Sequence, residues 1–416
     1  MGGGSGRQFF VDAAPLRASP GFRWLFGGMT LSVTARQFTI VAVPYQVYQL
    51  TGSTLLVGAL GIAQLVPLLL TSVVGGAIVD SVDRRKLLLG TQVVLALTAG
   101  GLALNASLDA PMVWLIFVLS GLNAGVSAID NPSRSASIPA LVGDRYLTQA
   151  FALIQTLFNV AKTAGPALGG LLIAQAGLST IFLVEVALFA VSAAVLFRLP
   201  RLVPEGGGRR FGAESIREGF SFLRDRRLLQ ANFLADINAM VFGAPAALFP
   251  ALGETVLGGD ATTVGILFAA PGAGALIAAV TSGWVGSVRR HGRVIIIAIA
   301  AWGASIAAVG LSSSLWTMVL FLAIAGGADV ASAVFRTTLL QAAVPDELRG
   351  RLSAIHVGVV AGGPRLGDFR AGSVAALTSP QVSLVSGGLM CIVGILAIAR
   401  WLPELPAYRP AHHQQE

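Results

Sequence analysis

A chain of 416 residues with 55% hydrophobic and only 12% charged positions, at a mean hydropathy of +0.77, is not a soluble domain, where about a quarter of residues are charged. Its net charge of +8 would suggest nucleic acid in a soluble protein, but the placement of the cations excludes that reading. All except Arg36, Lys162, Arg365 and Arg370 lie at the chain ends, in alternate connections between apolar blocks, or at the block edges adjoining them. The single cysteine, Cys391, rules out an intramolecular disulfide. His291, His356, His412 and His413 show no metal-ligand spacing, and no phosphate-cradling glycine loop is present, so neither a metal nor another cofactor is expected.

The expected elements follow in order. Residues 1–21 form an N-terminal segment in which Phe9, Phe10, Val11 and Leu16 suggest an interfacial helix. About 20 apolar residues cross the roughly 30 Å of a bilayer core. Twelve blocks qualify: 22–50, 54–79, 87–108, 112–131, 147–176, 178–198, 228–252, 262–287, 294–312, 315–336, 353–377 and 379–402. The expected fold is therefore an all-α integral membrane protein: a half over 22–198, a linker over 199–227, a second half over 228–402 and a tail over 403–416. Ile216, Phe220 and Leu223 recur at helical spacing among the arginines of the linker, the pattern of an amphipathic helix lying on an anionic leaflet. The links after odd-numbered blocks carry only acids, Asp109, Glu254 and Asp260, or no charge. Cationic loops stay in the cytoplasm, so both termini are expected there.

The halves echo one another. Gly165-Pro166-Ala167-Leu168-Gly169 returns 198 positions later as Gly363-Pro364-Arg365-Leu366-Gly367. Val43-Pro44 and Val57-Gly58 return as Phe249-Pro250 and Val264-Gly265. Such internal repeats are how many secondary transporters are built, with the substrate path between the repeats. Each chain then holds its own pathway, and a monomer is expected.

Between blocks two and three stands Gly76-Ala77-Ile78-Val79-Asp80-Ser81-Val82-Asp83-Arg84-Arg85-Lys86. It resembles the cytoplasmic signature of the major facilitator superfamily, although Ser81 and Asp83 depart from its pattern. In that family the acid pairs with the positive end of a helix in the other half, which the helix dipole favours, and the arginine pairs with a nearby acid. The resemblance thus implies a conformational latch of Gly76, Asp80, Arg84 and Arg85, with Asp130 as the partner expected for Arg84. Gly165-Pro166 followed by Gly169-Gly170 resembles the superfamily's antiporter motif, with Ala161 where a further glycine is usual. Glycines at this spacing let helices approach closely, so a packing role for these residues and for Gly363, Pro364 and Gly367 stands beside a coupling one.

Pro20-Gly21-Phe22-Arg23, Val41-Ala42-Val43-Pro44, Thr51-Gly52-Ser53-Thr54, Pro139-Ala140-Leu141-Val142-Gly143, Thr281-Ser282-Gly283 and Leu348-Arg349-Gly350-Arg351 extend the resemblance over nearly the whole chain. They are similar to the siderophore-exporting members of the superfamily and to related drug:proton antiporters. The resemblance implies proton-coupled export of a small molecule across a bacterial cytoplasmic membrane by alternating access. A siderophore or similar anionic aromatic metabolite is the first expectation, multidrug or macrolide efflux the second, and a lipid flippase of the same fold the third. An enzyme is not expected, because no nucleophile, base and orienting group converge.

Charges within the blocks narrow the site. A cation at mid-bilayer costs about 2.5–3.5 kcal/mol on insertion scales, so Arg36, Lys162, Arg365 and Arg370 must be paired or face a hydrated cavity. Arg36 and Lys162 have no acid within one turn and are expected, with Arg365, Phe38 and Tyr45, to contact substrate. Arg365 and Asp368, three apart, are placed to pair with each other. Proton coupling needs an acid that desolvation brings into range. Asp236 is the first choice, Glu185 the second and Asp329 the third, each with salt bridging as the alternative.

Overall fold

The computed structural model describes residues 12–203, 218 and 221–409, without the side chains of 73, 74, 76, 77, 80, 346, 347, 349–351 and 354. After a turn of helix at Ala14–Ala18 come α1 (Pro20–Thr51), α2 (Thr54–Ser81), α3 (Arg84–Ala106) and α4 (Val113–Val142). The helix Leu147–Leu196 is broken at Gly177, whose φ of 81° only glycine adopts readily. Its arms are α5 (147–176) and α6 (178–196). The second half comprises α7 (Arg227–Gly243), α8 (Ala261–Val280), α9 (His291–Leu311), α10 (Leu315–Ala343), α11 (Asp346–Leu377) and α12 (Pro380–Trp401). No strand occurs among the described residues. Nine helices there are long and apolar enough to cross a membrane. One of the nine is the α5–α6 pair, while α1 and α11, at 32 residues each, are long enough but too polar, holding Arg36 in one and Arg365, Asp368 and Arg370 in the other.

Local chemistry sets the boundaries. Ser19, Ser53, Asp83, Asp260 and Ser379 cap α1, α2, α3, α8 and α12, each accepting from a backbone N–H of the first turn. Gly52, at φ 61°, closes α1. Helix α4 runs eleven residues past the end expected at 131, because Asp130 and Arg134, one turn apart, neutralise each other inside it. Hydropathy alone sees two charges there and stops.

Both ends of the described chain lie at one end of the bundle. The Arg198 guanidinium stacks over Trp24 at the start of α1, and Arg227 at the start of α7 meets Glu404 just beyond α12. At the opposite end the connections are short: 52–53, 107–112, Gly177, 257–260, 312–314 and 378–379. The interfacial residues Phe9 to Val11, the linker residues Ile216 and Phe220, and the tail with His412 and His413 lie outside the described residues.

The halves meet along α2–α11 and α5–α8 through glycine. A Cβ on Gly58 would sit 2.6 Å from the Asp368 carbonyl oxygen, and one on Gly265 would sit 2.6 Å from that of Pro166. Gly372 faces Gly58 and Gly170 faces Gly265 in the same two contacts. Thr54 donates to the Gly372 carbonyl (3.1 Å) across one of them. The Val57-Gly58/Val264-Gly265 echo therefore marks both seams. The longer echo marks packing within each half: Gly165 and Gly169 abut Gln37 and Phe38 of α1, and Gly363 and Gly367 abut Met240 of α7.

Candidate functional site

Repeat symmetry fails between α1 and α7. Helix α1 is continuous through Pro44, whereas α7 stops at Gly243, turns extended at Ala244, and resumes after Pro245 as a 3-10 turn at Ala246–Leu248. Pro245 explains the break, since it lacks an N–H and drives the preceding residue toward extended backbone. Beyond it, Phe249–Ala251 forms a helical turn and Leu252–Val256 a π-helical one. Two side chains of α11 take up the groups that the break releases. Asp368 accepts from the Ala247 N–H (2.9 Å), and Arg370 donates to the carbonyls of Val241 and Phe242 (both 3.1 Å). The pairing expected between Arg365 and Asp368 is not made: Asp368 turns to the backbone of the 3-10 turn, and Arg365 bonds within its own helix.

Beside the break lies a cavity of about 360 Å³ between the halves, at the small end of the usual range for small-molecule sites. Its wall is Arg36, Thr39, Ile40 and Pro44 of α1; Val57, Leu60, Gly61 and Gln64 of α2; and Ser120, Asn123, Ala124 and Ser127 of α4. The other half contributes Ala246, Ala247, Phe268 of α8, and Pro364, Arg365 and Asp368 of α11. Apolar surface thus alternates with amide, hydroxyl and charged groups. Arg365 donates to the Ala361 carbonyl one turn earlier in its own helix (2.5 Å). Of the expected substrate contacts, Arg36 and Arg365 are in this wall and Lys162, Phe38 and Tyr45 are not. Phe38 is buried against Gly169. Tyr45 accepts from Gln49 (3.0 Å) near the far end of α1. Lys162 lies on an exposed face of α5, its backbone carbonyl against Gly272 and its charge acting on Asp329.

Arg36 is not unpaired. It donates to Asp130 of α4 (2.5 Å) and to Asn131 (3.0 Å). Asp130, wholly buried, also accepts from Arg134 (2.7 Å), Thr91 (2.7 Å) and Gln92 (3.0 Å). The expected partnership of Asp130 with Arg84 is accordingly corrected, since Arg84 donates to the Ala136 carbonyl instead (2.9 Å). Arg85 donates to the Phe197 carbonyl (2.5 Å), and Asp83 caps α3 while accepting from Leu202 (3.1 Å). The Arg84 and Arg85 side chains thus bond within the first half, while Asp83 ties α3 to the start of the linker. Gly76 and Asp80 lie in α2, but their surroundings are outside the described side chains.

The second half carries the same α1–α4 type of pairing with its signs exchanged. Asp236 of α7 accepts from Arg336 of α10, both buried, with Asp329 3.7 Å from the same guanidinium and His356 3.5 Å from Asp236. Glu185 of α6 differs from these acids. It is wholly buried and accepts from Thr39 (2.8 Å), a cavity-wall residue, while its other oxygen has no hydrogen-bond partner among the described residues.

Sequence reasoning missed Asp368, Arg370 and Arg134 as organisers of the site. Gly243-Ala244-Pro245 is the signal that could have located the break. Nothing in hydropathy shows which helix crosses beside it.

A family model described as "Transmembrane secretion effector", from the major facilitator group, matches residues 11–415. Enterobactin exporters are similar over almost their full length. That of Shigella boydii serotype 4 (strain Sb227) is 28% identical over 398 residues, 94% of each chain. That of Citrobacter koseri is 28% identical over 408 residues, 97% of each. Among solved structures, the nucleoside transporter NupG superposes with a TM-score of 0.71 at 13% identity, covering 94% of this chain and 100% of that one. A POT family transporter in complex with 5-aminolevulinic acid does so at 0.75 and 11%, covering 93% and 97%. Likeness at that identity bears on the fold alone.

Proposed function

The chain belongs to the transmembrane secretion effector family of the major facilitator superfamily and is a multi-pass membrane transporter of small molecules, not an enzyme; from that premise we propose that it exports an anionic, hydroxylated aromatic metabolite of the siderophore type, driven by protons through alternating access. The observation that carries this reading is the cavity between the halves, where Arg36 and Arg365 stand among Gln64, Asn123 and Ser127. Cations beside amide and hydroxyl groups suit a polar, acceptor-rich ligand, and the similarity to enterobactin exporters supports the same class. Arg365 is the substrate-facing cation, because its recorded bond is to its own helix. Arg36 serves chiefly to hold α1 to α4 through Asp130.

Cationic loops put both termini in a bacterial cytoplasm. The end at which Thr54–Gly372 and Gln49–Glu254 join the halves then faces outward, as a cargo-loading state would require. The proton carrier is Glu185 rather than Asp236. A buried carboxylate must be paired with a cation or be neutralised; Asp236 has Arg336, whereas Glu185 has one hydroxyl donor. Through Thr39 it also touches the cavity wall.

Uptake into everted vesicles under an imposed pH gradient, with a catecholate siderophore, a macrolide and a cationic dye compared, tests both claims. Gradient-dependent siderophore uptake that falls at least tenfold in Arg365→Gln is expected. Glu185→Gln, which keeps the shape and the acceptor for Thr39, is expected to leave the folded protein intact and abolish the response to the gradient. Uptake of the dye or macrolide alone would overturn the siderophore reading, and a normal gradient response in Glu185→Gln would overturn the carrier assignment.

A further inference from the structure

The segment 246–256 joins the cavity to the far closure of the bundle. Its first turn is in the cavity wall, where Ala247 donates to Asp368. Its last turn, the π-helical Leu252–Val256, carries Glu254, which accepts from Gln49 at the end of α1 in the other half. Between them Phe249 stands edge-on to Phe268 of α8, itself in the wall, at 4.9 Å. The segment is severed from α7 at Ala244-Pro245, so its orientation is set by side-chain contacts rather than by a continuous helix. The recorded hydrogen bond that ties its inner end to another helix is the one from Ala247 to Asp368. No acidic side chain stands at the position of Asp368 in the first-half repeat, where Gly170 makes the close approach to α8.

We propose that Asp368 is the positioning residue through which cargo opens the far closure: a hydroxyl, amide or ammonium donor on the cargo competes with the Ala247 N–H for its carboxylate, releases segment 246–256 and weakens the Gln49–Glu254 contact. This rests on the reading of the cavity as the cargo site and adds a requirement to it. The cargo must bring a donor for Asp368 as well as an acceptor for Arg365, three residues earlier on the same wall. A ligand with acceptors alone would bind without opening the far end. A bound donor shifts the equilibrium only because it favours the state in which the Ala247 bond is broken.

The test is a distance measurement that needs neither cargo nor a gradient. Spin labels are placed at Asp109→Cys in the 107–112 connection and at the exposed Thr255→Cys, with buried Cys391 replaced by Ser, in lipid nanodiscs. Wild type is expected to give one distance population. Asp368→Ala is expected to add a longer one, because the pin is gone. Asp368→Asn is expected to restore the wild-type distribution, because its amide oxygen still accepts from Ala247. Identical distributions in wild type and Asp368→Ala would overturn the proposal, as would equal shifts in Asp368→Ala and Asp368→Asn, since neither result depends on the pin. A vesicle assay in which no probe is exported would refute the substrate reading while leaving these distances unchanged, so the two failures are distinguishable.

Discussion

Asp130 shows how one carboxylate can organise a low-dielectric interior. It receives two guanidinium groups, a hydroxyl and an amide, so its charge and most of its lone pairs are satisfied. Removing one member of a buried ionic group costs about 3–5 kcal/mol, because the remaining charges stay buried without compensation. Asp130→Ala should therefore unfold in detergent at markedly lower temperature than wild type. Asp130→Asn, which keeps one accepting oxygen for two of these four donors, should lose less. A thermal scan of both variants checks the ordering, and equal losses would mean that shape rather than charge holds α1 to α4.

The broken α7 is stabilised largely by its neighbour. Helix ends leave their last carbonyls without intrahelical partners, and no water is at hand to solvate them inside a membrane. Arg370 supplies donors to two of them. Arg370→Ala should cost about 1–3 kcal/mol for each carbonyl left unpaired. Hydrogen exchange of α7 should then quicken around 241–247 while α1 stays protected. Unchanged protection there would show that the break is held by packing alone.

The sequence made the helices legible wherever apolar runs were long and ended in Ser, Asp, Pro or Gly, as at Ser19-Pro20, Gly52-Ser53 and Ser379-Pro380. It misplaced the end of α4, because a charge paired one turn away looks like a loop to any count of single residues. The roles of Asp368 and Arg370 were hidden for a related reason. Their partners are backbone groups of a helix about 120–130 positions earlier, and backbone groups leave no mark in composition. The cavity was half legible: Arg36 and Arg365 could be picked out as costly charges, whereas Gln64, Asn123 and Ser127 look like ordinary polar interruptions.

Considered as a whole, the molecule is two similar halves joined along seams where glycine lets backbones touch. The contacts at Thr54–Gly372, Gly170–Gly265 and Gln49–Glu254 lie toward the end opposite the chain termini, so that end is the shut one. A larger side chain in a seam should force it apart. Gly265→Leu would drive its Cβ into the Pro166 carbonyl and the Gly170 backbone. The expected result is faster thiol labelling of Leu50→Cys, an exposed residue beside this closure. Unaltered labelling would show that the seam adjusts without opening.

The short connections at the shut end have a consequence of a different kind. A protease needs an extended strand of several residues to enter its cleft, and an antibody needs a raised surface to grip. Gly52-Ser53, the single Gly177 and Thr378-Ser379 offer neither. The 107–112 link around Asp109, the longest of these connections, is the place to insert a peptide tag. Whatever medium bathes that face, toxins, phage and immune proteins would find almost nothing there to hold.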